Sequence, residues 1–152
     1  MSWRWLDLLA SGPRRGSPSQ ENVMPFVEIF VPEKRPADQR RKLADAVHHA
    51  LVEAIAIPED DRFQVLRALP EGDYIADPSY LGVKRSRNFL VVRVTLRRGR
   101  SIEKKRALYR AIADNTARAV GMRTEDVFVV LHENEASDWS FGAGIAQYAP
   151  AE

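Results

Sequence analysis

The sequence predicts an α+β domain made of two tandem βαβ units: a four-stranded sheet with two helices on one face. Three observations carry that reading. Strand-period runs alternate with helix-period runs from Phe26 to Leu131. The strand–helix–strand order occurs twice, about 65 positions apart, so that Leu43 maps onto Leu108 and Phe63 onto Phe128. Hydrophobic residues make up 45% of the 152, enough to fill one core at a length that suits one domain.

In the first unit Val27, Ile29 and Val31 alternate with Phe26, Glu28 and Phe30, the period of two that marks a strand. Pro36 suits the first turn of a helix. Leu43, Val47, Ala50, Leu51 and Ala54 then recur at helical spacing. Ile57-Pro58 closes that helix, because proline restricts the residue before it. Phe63 to Leu69 reads as the second strand. In the second unit Leu90, Val92, Val94 and Leu96 alternate with Phe89, Val91, Arg93 and Thr95. Leu108, Ile112, Thr116 and Ala119 repeat the helical face, Gly121 supplies a stop, and Val127 to Leu131 is the matching strand. The same shift maps Arg35 onto Arg100, Ile57 onto Met122 and Asp61 onto Asp126. Pro70 to Asn88, rich in Gly, Asp, Pro and Ser, links the units and has room for short hairpin strands.

Each unit is a crossover, so its two strands are expected to be parallel with a right-handed connection. Two helices cover only one face of the sheet. The other carries Phe26, Phe30, Phe89 and Val91 among Glu28, Arg93 and Thr95. Self-association is the economical way to cover it.

The formal charge is +2, from 23 basic and 21 acidic residues, so the basic run Lys84 to Arg106 does not argue for nucleic acid. The absence of cysteine excludes disulfides and thiolate metal sites. The apolar stretches are too short for a bilayer span. Met1 to Ala10 holds a brief apolar run broken by Asp7 and followed by Arg14 and Arg15, the wrong order for a secretory signal. A cytoplasmic location is the default. Residues 11–22 offer no periodic face and are expected to be disordered. Met24 stands directly before Pro25, where the first strand begins. Two readings stay open. Either residues 1–24 are a mis-assigned start and the mature chain begins with Pro25, or the extension is real and Pro25 lies in an amide. The domain is read as 25–148, with 149–152 as a tail.

A duplicated βαβ unit that opens Met-Pro-Phe-Val-Glu-Ile resembles the tautomerase superfamily, whose members use an amino-terminal proline. Three later features narrow the resemblance: Asp61-Arg62-Phe63-Gln64 after the first helix, Arg98-Gly99-Arg100 after the third strand, and Asp138-Trp139-Ser140-Phe141-Gly142 near the end. Together they are similar to the malonate semialdehyde decarboxylase branch, over roughly residues 25–148. The resemblance implies a homotrimer that binds a small carboxylate substrate and needs no cofactor. It puts the family's proline on Pro25, its aspartate on Asp61, its paired arginines on Arg98 and Arg100, and its carboxy-terminal aromatic pair on Trp139 and Phe141. The chain departs from the pattern at Phe63, where the branch has tyrosine, and in the composition of the linker. The lost hydroxyl bears on substrate orientation.

The chemistry of these residue types fits. Proline alone offers a free terminus that is a secondary amine on a rigid ring. Apolar burial and nearby arginines lower its pKa toward a base, whereas a carboxylate such as Asp61 favours the cation. The bland alternative is that Pro25 merely begins an edge strand. Guanidinium offers paired planar donors for a carboxylate. Arg98 shares the parity of Leu90 to Leu96, the helix-covered face, and would need an anion there; a solvated strand end is the alternative. Asp61 and Asp126 both suit a turn before a strand, but only Asp61 belongs to the unit with the proline. Trp139 and Phe141 read as an apolar wall over the site, with core packing as the alternative. His48, His49 and His132 lack ligand spacing and read as surface or helix residues, so no metal is expected. The expected reaction is decarboxylation of a small 3-oxo acid, with hydration of acetylenic or halogenated acrylic acids or 2-oxo acid tautomerisation as alternatives. A non-enzymatic trimeric binding module is the reading if Pro25 is not a free terminus.

Overall fold

The structure is a computed structural model that describes residues 25–150. The expectations for residues 1–24, disorder over 11–22 among them, lie outside the described residues, as do positions 151–152. The elements run β1 (Phe26–Pro32), α1 (Ala37–Ile55), β2 (Phe63–Leu69), β3 (Leu90–Arg97), α2 (Ile102–Val120) and β4 (Val127–Asn134). The sheet order is β2-β1-β3-β4. Strands within each unit are parallel, and an antiparallel β1–β3 seam joins the units. β1 is therefore an interior strand, paired on both sides, rather than the edge strand of the bland alternative.

The period-two pattern does what strand geometry requires. Val27, Ile29 and Val31 from β1, and Leu90, Val92, Val94 and Leu96 from β3, point to the helix side. There they meet Leu43, Val47, Ala50 and Leu51 of α1 and Leu108 and Ile112 of α2, all fully buried or nearly so. Thr116, also buried, satisfies its hydroxyl by donating to the Ile112 carbonyl at 2.6 Å.

The helix ends differ in detail from the sequence expectation. Pro36 is the residue before α1 rather than its first helical residue. The helix stops at Ala56, whose φ of 56° is left-handed and whose N–H bonds the Val52 carbonyl, so the chain has turned before Pro58 acts. In α2 the Ser101 hydroxyl accepts from the Lys104 N–H at 3.2 Å, capping the start. Gly121, at φ 68°, ends it.

The linker forms two short 3-10 turns, Glu71–Asp73 and Tyr80–Gly82, instead of hairpin strands. Pro70 and Pro78 lack the N–H that a ladder needs. Tyr74 of the linker stacks on Phe89 with ring centroids 4.0 Å apart and donates its hydroxyl to the Phe30 carbonyl at 3.0 Å. Phe89 is therefore buried and does not belong to the open sheet face, as the sequence had suggested. Among the described residues no helix covers the rest of that face. Phe63 and Phe128 stand 49% and 46% exposed on it. Glu28, buried there, accepts from Arg93 at 2.6 Å and lies 3.7 Å from Arg67, and Arg93 in turn sits over the Phe30 ring. Among the described residues no helix is long and apolar enough to cross a membrane.

Candidate active site

The strand directions gather the sequence-predicted residues at one end of the sheet. β1 and β2 start there, because they are parallel in the register Phe26 with Phe63. β3 and β4 end there, because β3 runs antiparallel to β1 and pairs Arg97 with Asn134 of β4. Pro25 directly precedes Phe26 and is buried. Phe26 pairs with Thr95 on its other side, so one further step along the ladder brings Pro25 toward Leu96 and the Arg97–Arg100 turn.

Asp61 lies two residues before Phe63, in the loop that leaves α1, and its N–H bonds the Pro58 carbonyl at 3.1 Å. Partial burial, helped by the neighbouring Asp60 charge, pushes its carboxyl up to about 6. Among the described residues no side chain or backbone N–H hydrogen-bonds that carboxylate. Its counterpart in the repeat is different. Asp126 is buried and accepts from the Ser86 N–H at 2.6 Å and from the Ser86 hydroxyl at 2.8 Å. The turn-residue reading therefore holds for Asp126.

The two arginines follow the end of β3. Arg98 still pairs by its N–H with the Asn134 carbonyl at 2.8 Å. Its guanidinium is two-thirds exposed and lies 3.4 Å from the equally accessible Glu135 carboxylate. The anion that Arg98 was expected to need is thus supplied within the chain, and its side chain is not covered by the helices. Gly99 takes φ 129°, a conformation that L side chains rarely adopt, and this lets the chain reverse between the two arginines. Arg100 is half-buried and donates to the Arg97 carbonyl at 2.6 Å. Glu133 braces the turn: its ion pair with Lys105 of α2 and a backbone hydrogen bond from Gly99 hold its carboxyl below the usual carboxylate range.

The chain after β4 folds back over this end. Phe141 packs against Phe63, centroids 5.7 Å apart, and lies parallel to Trp139 at 5.7 Å. Tyr148 meets Phe141 edge-on at 5.6 Å. The Trp139 indole N–H donates to the Asn134 side chain at 2.7 Å, tying the segment to β4. Phe63, Trp139 and Phe141 thus form one aromatic layer. Sequence reasoning missed Asn134, Glu135 and Tyr148; each acts through a partner distant in sequence or outside any periodic pattern, so spacing gave no signal. His48 proves to be a buried helix residue whose ring Nε2 lies 2.8 Å from the Glu59 carbonyl. No cluster of three or more His, Asp or Glu is placed to hold a metal ion among the described residues. A cavity of about 560 Å³ lies at the opposite end of the sheet, lined by Tyr74, Phe89, Arg85 and Arg87. Its lining includes none of Pro25, Asp61, Arg98 and Arg100, so chemistry rather than cavity size marks the candidate site.

The fold agrees with comparisons to known proteins. A family described as tautomerase enzyme matches residues 61–142, and a second family of the same description matches residues 25–84. The probable tautomerase YusQ of Bacillus subtilis (strain 168) is 42% identical over 124 residues, which are 82% of this chain and 98% of YusQ. The crystal structure of FG41 malonate semialdehyde decarboxylase inhibited by 3-bromopropiolate is 44% identical with a TM-score of 0.77, covering 81% of this chain and 93% of that one. A second malonate semialdehyde decarboxylase, solved to explain its decarboxylase and hydratase activities, is 32% identical with a TM-score of 0.75, covering 81% and 95%. With nearly the full length of these relatives matched, this chain belongs to the tautomerase superfamily.

Proposed function

We propose that the chain is a malonate semialdehyde decarboxylase that acts through the amine of Pro25. The observation that carries this reading is that strand direction and register bring Pro25, Asp61, Arg98 and Arg100 to the same end of the sheet, where Phe63, Phe141 and Trp139 also pack together. In this mechanism the chain begins at Pro25 once Met24 is removed. The match of a family model from residue 25 onward and the near-complete coverage of YusQ by 124 residues support that start.

Arg98 and Arg100 hold the substrate carboxylate. The surface pair of Arg98 with Glu135 is exposed, contributes little stability, and exchanges readily for a substrate anion. The Pro25 ammonium donates a hydrogen bond to the aldehyde oxygen. As the bond between the carboxylate carbon and the methylene breaks, its electron pair flows into an enolate stabilised by that cation, and carbon dioxide leaves. Protonation of the enolate carbon gives acetaldehyde. Asp61 positions the cation or a water. Hydration of an acetylenic acid is the second reading, favoured by the raised pKa of Asp61: a carboxyl titrating near 6 is largely ionised at neutral pH and basic enough to activate water.

The same reading makes the protein a homotrimer, with the open sheet face carrying Phe63 and Phe128 turned toward its copies. A monomer in sedimentation at micromolar concentration would sink that part.

The decisive experiment compares protein expressed from Met1 with protein expressed from Met24, each checked by intact mass. Only the version that ends in a free Pro25 is expected to release carbon dioxide from malonate semialdehyde and to take up one 3-bromopropiolate-derived adduct per subunit on Pro25. Equal activity with the extension retained overturns the role of Pro25.

A further inference from the structure

The segment Asp61-Arg62-Phe63-Gln64 divides into two alternating sets. Asp61 and Phe63 belong to the candidate site, and Phe63 lies on the open face of the sheet. Arg62 and Gln64 turn the other way, toward α1. Arg62 reaches the Asp45 carboxylate at 2.6 Å and donates through Nε to the Gln64 side-chain oxygen at 2.8 Å. Gln64 then donates to the Ala44 carbonyl at 2.8 Å. On the other side of Asp61, His48 Nε2 donates to the Glu59 carbonyl at 2.8 Å. Ala44, Asp45 and His48 are adjacent or one turn apart on α1. One helix face thus grips the loop two residues before Asp61 and one residue after it.

Resting on the proposed role of Asp61, we propose that Arg62, braced by Asp45 and Gln64, is a positioning residue that fixes the Asp61 carboxylate against the reacting atoms. Arg62 does not need to touch substrate. Its forked guanidinium joins a helix to a strand start, which a single-point lysine contact cannot do as rigidly. The Asp45 carboxyl is held below its usual range, chiefly by the Arg62 hydrogen bond, consistent with a formed ion pair at neutral pH. The grip matters because displacing a catalytic group by a fraction of a bond length lowers turnover without abolishing binding.

The test is a mutant cycle read on kcat and KM for malonate semialdehyde and on the rate of Pro25 modification by 3-bromopropiolate, all in protein beginning at Pro25. Arg62→Leu is expected to lower kcat about tenfold with KM changed less than about threefold. Arg62→Lys should recover part of that loss. In an Asp61→Asn background, Arg62→Leu should have no further effect, because the group it positions is gone. Equal losses from Arg62→Leu with and without Asp61 overturn the inference, as does an unchanged kcat in folded Arg62→Leu protein. If Arg62→Leu does not fold, Gln64→Leu and Asp45→Asn, which remove the brace and keep the guanidinium, are put through the same cycle with the same expected pattern. Wild-type turnover in Asp61→Asn overturns the role of Asp61 itself, whereas loss in Asp61→Asn without the epistasis overturns only the positioning.

Discussion

The two βαβ units have the same length of helix, the same strand pairing and nearly superimposable patterns, yet they treat equivalent positions in opposite ways. In the second unit Asp126 is buried and fully engaged by Ser86. In the first unit Asp61 is half-exposed, has no such donor among the described residues, and is pushed up to about 6 by partial burial. Arg100, at the end of β3, joins the candidate site. Its counterpart Arg35, at the end of β1, lies at the opposite end of the sheet and donates to Gln39 at 3.1 Å. The second helix ends on Gly121, the first on a left-handed Ala56. A duplicated scaffold thus leaves one copy of a residue to build structure while the other is held in an unfavourable setting, the kind of setting the proposed chemistry would use.

The comparison is broken most decisively by exchanging the fates of the two aspartates. Asp61→Asn is expected to reduce turnover of malonate semialdehyde about a hundredfold, the range for losing a group that keeps a charge-stabilising donor in place, while Asp126→Asn stays within about threefold in steady-state kinetics. Comparable losses in both would remove the functional asymmetry. The arginines come next. Arg98→Ala or Arg100→Ala should lower kcat/KM for carboxylate substrates by roughly ten- to a hundredfold, with Arg35→Ala as the near-silent control. Wild-type rates in both site variants would end the carboxylate-binding role.

Stability should show the opposite ordering. Asp126→Ala strands the Ser86 N–H and hydroxyl, and urea denaturation should report a loss of about 2–3 kcal/mol. Asp61→Asn should gain. The folded state raises the Asp61 pKa from 3.8 to about 6, so the protonated form is favoured on folding. Stability from that proton is full below about pH 3.8 and is lost as pH rises through about 6. The asparagine variant should therefore match wild type near pH 3.5 and exceed it by about 1 kcal/mol at pH 8, solvent screening of the half-exposed group allowed for. A pH-independent difference would contradict the desolvation. The smallest effect is at the helix end. Ala56→Gly removes a left-handed alanine and is expected to stabilise by about 0.5–1 kcal/mol, seen as a small rise in the urea midpoint.

The fold was legible because both of its periods are visible in the chain: Val27, Ile29 and Val31 for the strand, Leu108 and Ile112 for the helix. Pro25, Asp61, Arg98 and Arg100 were singled out through the family resemblance, and the register of β1, β2 and β3 brings them to one end of the sheet. What did not show was everything decided by side-chain reach. Glu135 pairs with Arg98, and Asn134 holds Trp139, through contacts that no spacing encodes. Tyr74 covers Phe89 because an irregular linker happens to fold back, and irregular backbone has no period to read. Ala56 stops α1 without the glycine that marks the second helix, so the boundary was assigned to Pro58 instead.

Residues at the margin of a domain ordinarily fray, opening many times for each global unfolding event. The strand that follows Pro25 escapes this through its seat between β2 and β3. Freeing Val27 or Ile29 means breaking ladders on both sides at once and exposing a fully buried row. Amide exchange at these two positions should be as slow as exchange in the middle of β3, limited by unfolding of the whole domain. The Pro25 nitrogen, one residue away and itself buried, is then anchored like a core atom although it stands at the end of its strand.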